Sequence, residues 1–319
     1  MDNSSHSPSV SIIVPIYGAD AYIGQCAESL LSQTYPNIEF VFVNDGTKDD
    51  SIDILRSVVA FHPERKAKVI IVEKENQGVA LARKTGISHV KGDYVIQIDA
   101  DDWVETDMVD RMVNVILATG ADLVYTDYYL EFPDRQEIAF EKEYSDQKLL
   151  FKDLYNGKNF HGYYWNKLVK RSLYAAVRVW PQYGMRDDLV VVSQLISHAE
   201  RVVHFPQPFY HYRIGTEGSI SNSKISKQKF ESARNLMALF DYYHNLPIGE
   251  RARSPILGVE EDLLLRIGWF AFGAGDFAIF RQYPYLKKLL KAIVPSKKYD
   301  LNIFKQWALN LAVRMICVK

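Results

Sequence analysis

Two stretches, VSIIVPI at 10–16 and IEFVFVN at 38–44, are apolar at almost every position instead of at every second one. A strand with one wet face alternates, so a strand that does not alternate is covered on both sides. Shorter β-favouring runs follow at Val69–Glu73, Tyr94–Ile98 and Leu123–Thr126. Between them apolar residues recur at spacings of three and four over Ala21–Gln33, Ser51–Phe61, Val79–Val90 and Glu105–Ala118, the period of helices with one buried side. This order predicts an α/β fold, a largely parallel sheet flanked by helices on both faces.

The stretch GDYVIQIDADDW, ending at Trp103, is the most informative chemically. Its apolar run leads directly into Asp99, Asp101 and Asp102, which places three carboxylates at the carboxyl end of a buried strand. That is where open α/β sheets bind ligands. Crowded carboxylates repel one another and are costly to desolvate without compensation. A hard divalent cation, Mn2+ or Mg2+, shared with phosphate oxygens supplies it. The competing reading is that these aspartates cap a helix starting near Glu105.

Pro15, Ile16 and Tyr17 close the first strand, and Asn44, Asp45 and Gly46 close the second. In a parallel sheet both ends lie beside Asp99, so an aromatic face, an acceptor for a base N–H and a metal-ready cluster meet at one edge. Taken alone, Asp45-Gly46 reads as a turn. ENQGVALARKTG puts Gly78 at a turn and Arg83 one helical turn further, where it is either a solvated cation or faces the Asp99 strand end and orients the carboxylates there. Neither G-x-G-x-x-G nor a G-K-[ST] loop is present, which argues against a dinucleotide fold and a P-loop.

At 319 residues, 48% hydrophobic and 24% charged, the chain has ample material for a core. The net charge of −1 gives no reason to expect nucleic acid as a partner. Cys26 and Cys317 are the only cysteines and are far apart in sequence, so neither a disulfide framework nor a thiolate metal site is expected. MDNSSHSPSV has neither a basic start nor an apolar run, which is unlike a secretory leader and points to a cytoplasmic location. Beyond Leu130 the pattern is less regular until a helix at Asp188–His198. Helices follow at Lys224–Tyr243, Val259–Ala274, Tyr285–Val294 and Leu301–Val318. From Arg281 onward nine basic residues face one acid, Asp300, a local charge of +8. Basic amphipathic helices of this kind either lie on an anionic membrane or dock their apolar faces on the rest of the protein.

Taken in order, VSIIVPIY, VNDGTKDDS, NQGVALARKTG, IDADD, WNKLVKR and YHYRIGTEGSIS, with the pair Asp187-Asp188, resemble the inverting family-two nucleotide-sugar glycosyltransferases of GT-A fold. The likeness is strongest over 9–130 and extends to about 222. It implies a catalytic domain over 1–222, with a nucleotide half at 9–130 and an acceptor half at 131–222, followed by a C-terminal helical region at 223–319. By position, Asp45 resembles the carboxylate that contacts the base, with Pro15 and Tyr17 lining that pocket and Gly78 and Arg83 beside it. Asp99 resembles the residue on the ribose or metal side, and Asp101 the metal ligand. Asp102 is similar to a residue that holds the sugar or the loop, and Arg213 to a diphosphate clamp; His211 is placed near it. Trp165 and Lys167 fall on the acceptor side.

The resemblance makes Asp188 the catalytic base, with Asp187 as the alternative. The usual Glu-Asp is Asp-Asp here, and the choice between Asp187 and Asp188 stays open. The implied reaction moves a hexose from a nucleoside diphosphate, UDP first, to a glycan or lipid-linked acceptor in bacterial surface-polysaccharide assembly, at the inner face of the cytoplasmic membrane. A processive synthase is disfavoured because the Q-x-x-R-W motif and membrane spans are missing. An Asp-x-Asp phosphohydrolase needs its motif after the first strand. An idle nucleotide-sugar binding module is the remaining rival.

Overall fold

The computed structural model describes residues 7–215, 225–247, 259–276 and 278–282. Strands β1 (Val10–Ile16), β2 (Ile38–Asn44), β3 (Val69–Glu73) and β4 (Tyr94–Gln97) alternate with helices α1 (Ile23–Leu31), α2 (Ser51–Ala60), the single turn α3 (Pro63–Lys66) and α4 (Val79–His89). These four strands are parallel, in the order β3-β2-β1-β4. Consecutive β1 residues enter opposite cores, Ile12 and Val14 on one face and Ile13 on the other, which is why the run carries no polar alternation.

Beyond β4 the chain forms β5 (Trp103–Val104), α5 (Met108–Thr119), β6 (Leu123–Glu131), β7 (Gln136–Ala139), α6 (Gln147–Asn156), β8 (Lys167–Lys170), α7 (Asp187–His198) and β9 (Val202–Arg213). The sheet continues β4-β8-β6-β9-β5, with β7 paired to β6. It is therefore mixed: β6 and β9 run parallel, whereas β5, β7 and β8 run antiparallel to their neighbours. A parallel return needs a crossover of about a dozen residues. Only residues 132–135 link β6 to β7, so this pair must be a hairpin.

Two expected boundaries move for one reason, recruitment into the sheet. The fifth expected strand runs on to Glu131, because Tyr128–Glu131 pair with both β7 and β9. The helix expected at Glu105 begins at Met108 with Asp107 as its N-cap, because Trp103 and Val104 pair with His211 and Tyr210 of β9. Asp99–Asp102 thus do not cap that helix. The helix expected from Asp188 starts at Asp187.

Two further helices, α8 (Ile225–His244) and α9 (Glu260–Ala274), follow the positions read from sequence, and a short α10 spans Ala278–Gln282. Leu236 and Phe240 of α8 and Leu263 and Ile267 of α9 share one apolar cluster with Val190 and Leu195 of α7. Among the described residues no helix is long and apolar enough to cross a membrane. The helices expected at 285–294 and 301–318, and the membrane contact assigned to 281–319, fall outside the described residues except for Arg281 and Gln282.

Gly86 shows how closely α4 lies on the sheet. A Cβ built there runs into Cγ2 of the buried, β-branched Ile13. Gly86→Ala is therefore expected to destabilise the protein by about 1–3 kcal/mol, the usual cost of overpacking, measured as a lower urea midpoint.

Candidate active site

The parallel strands all end at one edge. Pro15 lies buried within β1 opposite Val43, and Tyr17, just beyond the strand, leaves its ring 61% exposed. Asp45 is buried and accepts from the Lys74 ammonium and from the amides of Gln77 (3.0 Å) and Gly78 (2.8 Å). It thereby folds the 74–78 loop across the edge. Gly46 and Gly78 have positive φ, and a Cβ on Gly46 would sit 2.9 Å from the Asn76 amide. Both positions need glycine for conformation or for close approach.

The acidic loop lies next along this edge. Asp102 is 1% exposed; its carboxylate accepts the Tyr210 hydroxyl (2.6 Å) and the Arg213 amide (2.7 Å). Burial pushes this carboxyl well above its ordinary pKa, and the nearby Asp101 and Asp99 push it further. These contacts are those of a residue that holds the loop. Arg213 donates from Nε to the Asp101 carbonyl (2.9 Å) and from Nη2 to Gln25 (2.8 Å), with its guanidinium over the Trp103 and Tyr22 rings. His211 stacks on both Trp103 and Tyr129, and its ring nitrogens meet Glu131 (2.6 Å) and Glu105 (3.1 Å).

Arg83 joins this loop to the acidic pair. One terminal nitrogen donates to Asp99 (2.6 Å) and the other to Asp187 (2.5 Å), while the guanidinium lies over the Tyr164 ring. The two acids hold Arg83 firmly charged against its burial. The Tyr164 hydroxyl donates to the Asp187 carbonyl (3.1 Å). Gly162 backs the same turn, since a Cβ there would lie 2.9 Å from the Leu189 Cα. Asp188 accepts its neighbour's amide at Leu189 (2.7 Å) and makes no ion pair among the described residues. Burial raises its pKa, and that amide, Arg83, Arg186 and Lys167 counter the rise.

Lys167, expected on the acceptor side, is buried, with Nζ donating to the His161 carbonyl (2.8 Å) and to Asn166 (2.7 Å). Burial lowers its pKa to about 8, against the pull of Glu141 and Asp188. Trp165 is 3% exposed and stacks on Tyr163 and Tyr210, so the partly exposed ring on this wall is Tyr163. Sequence reasoning did not single out Glu141, Tyr164 or Tyr210. Glu141 stands in an irregular stretch without a motif, yet it is buried and accepts the His161 amide (3.1 Å). Tyr210 stood inside a quoted motif, but its bond to Asp102 spans 108 positions.

The sequence profile of glycosyl transferase family 2 matches residues 11–178. The chain belongs to that family. This glycosyltransferase is 34% identical over 246 residues to the putative glycosyltransferase EpsH of Bacillus subtilis, covering 74% of the chain and 68% of EpsH. In fold it is similar to S. aureus TarS 1–349 in complex with UDP-GlcNAc (TM-score 0.64, 15% identity, 90% of this chain and 80% of that one). It is also similar to a mannosyltransferase of Pyrobaculum calidifontis in complex with GDP-Man and Mn2+ (TM-score 0.58, 19% identity, 99% and 87%). Together these establish a GT-A-like architecture for a family-two enzyme.

Removing one member of a buried ion pair strands the charge of the other, at a cost of about 3–5 kcal/mol. Arg83→Met should therefore lower unfolding free energy by about that amount in urea melts, and adding Asp187→Leu should recover most of it. Equal stability of Arg83→Met and wild type would rule the bridge out as a structural element.

Proposed function

We propose that this glycosyltransferase is an inverting, metal-dependent enzyme that moves a hexose from a nucleoside diphosphate to a hydroxyl of a glycan or lipid-linked sugar, in surface-polysaccharide assembly. The observation that carries the reading is the unequal treatment of the acidic pair. Asp187 is neutralised by Arg83, whereas Asp188 pairs with no cation among the described residues. A general base must be ionised and able to accept a proton, so Asp188 is the base and Asp187 anchors it.

Asp188 takes the proton of the acceptor hydroxyl while that oxygen bonds to the anomeric carbon. The bond from that carbon to the diphosphate breaks on the opposite face, and the nucleoside diphosphate leaves. One carboxylate suffices because no covalent intermediate forms. Its raised pKa makes it a stronger base than an exposed aspartate.

The acidic loop fits a hard cation. Besides burial, Asp101 and Asp99 raise the pKa of Asp102, while Arg83 donates to Asp99 and Arg213 to the Asp101 carbonyl, and among the described residues no side-chain cation bonds to the Asp102 carboxylate. No three ligating side chains converge among the described residues, so Asp101 and Asp99 would supply the protein's share and diphosphate and water the rest. Such a cation would stabilise charge on the departing diphosphate. Arg213, Tyr17 and Asp45 frame the remainder of the donor site. UDP is the first nucleotide to test, because a structural neighbour carries UDP-GlcNAc, while the GDP-Man complex of the other makes a donor panel necessary. The +8 charge of 281–319 supports a place at the membrane's inner face.

Asp188→Asn should leave UDP binding intact and cut turnover about 10²–10⁴-fold. In wild type, protonating Asp188 stops catalysis. Its pKa is raised, so kcat/KM should fall with decreasing pH through a value above that of an ordinary aspartate. Full activity of Asp188→Asn with an inactive Asp187→Asn would reverse the two roles. Asp101→Ala should abolish the Mn2+-dependent part of UDP binding, read by calorimetry, with the fold retained; an undiminished Mn2+ effect would move the metal elsewhere.

A further inference from the structure

Helix α7 begins without a side-chain cap. Its N-cap is Arg186, a non-glycine residue in the left-handed region (φ 59°, ψ 26°), and the first two helical residues are Asp187 and Asp188. Caps are usually supplied by Ser, Thr, Asp or Asn, and left-handed Arg is unfavourable, so something outside α7 must hold this turn.

That support comes from the C-terminal helices. Asn235 of α8 is 2% exposed and spends its whole hydrogen-bonding capacity on the backbone before Arg186. Its amide group donates to the carbonyls of Tyr183 and Met185, both at 2.8 Å. Its side-chain oxygen accepts the amides of Gln182 (3.3 Å) and Tyr183 (3.4 Å). One turn earlier on α8, Glu231 accepts the Met185 amide (3.2 Å). From α9, the Phe270 ring lies under the Arg186 guanidinium at 5.2 Å. Arg234 ties α8 to Asp276 through two bonds of 2.7 and 2.8 Å. The opposite side of the turn rests on Gly162, Tyr164 and Arg83. The turn that leads into the acidic pair is thus held by α8 on one side, and the pair by α4 and the 162–164 loop on the other.

We propose that Asn235 is a positioning residue for catalysis: by fixing residues 182–185 it sets Arg186 and, through it, where Asp188 stands relative to the acceptor hydroxyl. The inference rests on Asp188 being the base. It makes the C-terminal helical region part of the transferase machinery. Asn235 touches no reacting atom, so its effect is on placement; a misplacement of about 1 Å costs on the order of 10²-fold in rate.

The test uses the full chain and whichever of UDP-glucose, UDP-galactose, UDP-N-acetylglucosamine and GDP-mannose the wild type turns over with Mn2+. Asn235→Leu, close in volume, should lower kcat by about 10–100-fold while KM for that donor and the affinity for its nucleoside diphosphate with Mn2+ stay within about twofold. The acid limb of the rate profile should also move to higher pH. The cations that keep Asp188 ionised, Arg83, Arg186 and Lys167, lose their placement around it, whereas the neighbouring Asp187 carboxylate opposes ionisation and the neutral Tyr163 and Tyr164 hydroxyls also face it. A purely structural role would leave that limb where it is.

An unchanged kcat, or a parallel loss of turnover and nucleotide binding, overturns the proposal. If Asn235→Leu does not fold, Glu231→Met decides: it should lower kcat in the same pattern, and Glu231→Gln, which retains an acceptor for the Met185 amide, should restore most of the loss. Equal activity of those two variants overturns the proposal as well. Asp188→Asn separates the two failures. If it is dead while Asn235→Leu is fully active, the positioning idea fails alone; if it is active, the base assignment fails first.

Discussion

The Arg83 guanidinium, shared between Asp99 and Asp187, is the interaction on which the site depends. Three charged groups in a largely buried place are tolerable only together, because each alone would carry an uncompensated desolvation cost. Arginine suits the task better than lysine, since its planar fork reaches two carboxylates at once and stays charged. The bridge ties the end of β4, where the acidic loop begins, to the first residue of α7. It also gives two adjacent aspartates unequal surroundings, Asp187 bridged by Arg83 and Asp188 not.

Around this bridge the mixed sheet has a purpose. The parallel block presents Tyr17, Asp45 and Asp99 along one edge, whereas the long β9 returns from the far side and delivers Tyr210 and Arg213 onto the acidic loop. The two-residue β5 is where that return is made, and His211 is stacked there between two rings and two carboxylates. Residues from the parallel block and from the strands that follow it therefore hold the same loop. The helices α8 and α9 share an apolar cluster with α7, so packing couples them to the acidic pair.

Much was legible in the sequence. Strands β1 and β2 begin and end where their apolar runs do, because a strand buried on both faces is written as a continuous apolar stretch, and the half-buried edge strand β3 also keeps the bounds of its run. The acidic loop and Arg83 stand out in the sequence because carboxylates and an arginine at strand and helix ends are seldom needed for packing, whereas the acidic pair is singled out by the family resemblance. Less legible were the residues that act by burial. Trp165, expected on the acceptor side, is buried against Tyr163 and Tyr210 in the fold, and nothing around Asn235 distinguishes it from any polar residue on a helix.

The sequence by itself determined the α/β class, the parallel block and the set of chemically charged positions, since periodicity and residue type act locally. Tertiary structure alone decided that Arg83 reaches both Asp99 and Asp187, that Tyr210 and the Arg213 amide satisfy Asp102, and that α8 grips the turn before α7. The physical reason is range. Hydrophobic periodicity is written within a dozen residues, whereas these bonds join positions 16 to 111 apart, and which buried charge meets which partner is settled only when packing brings them into one low-dielectric place.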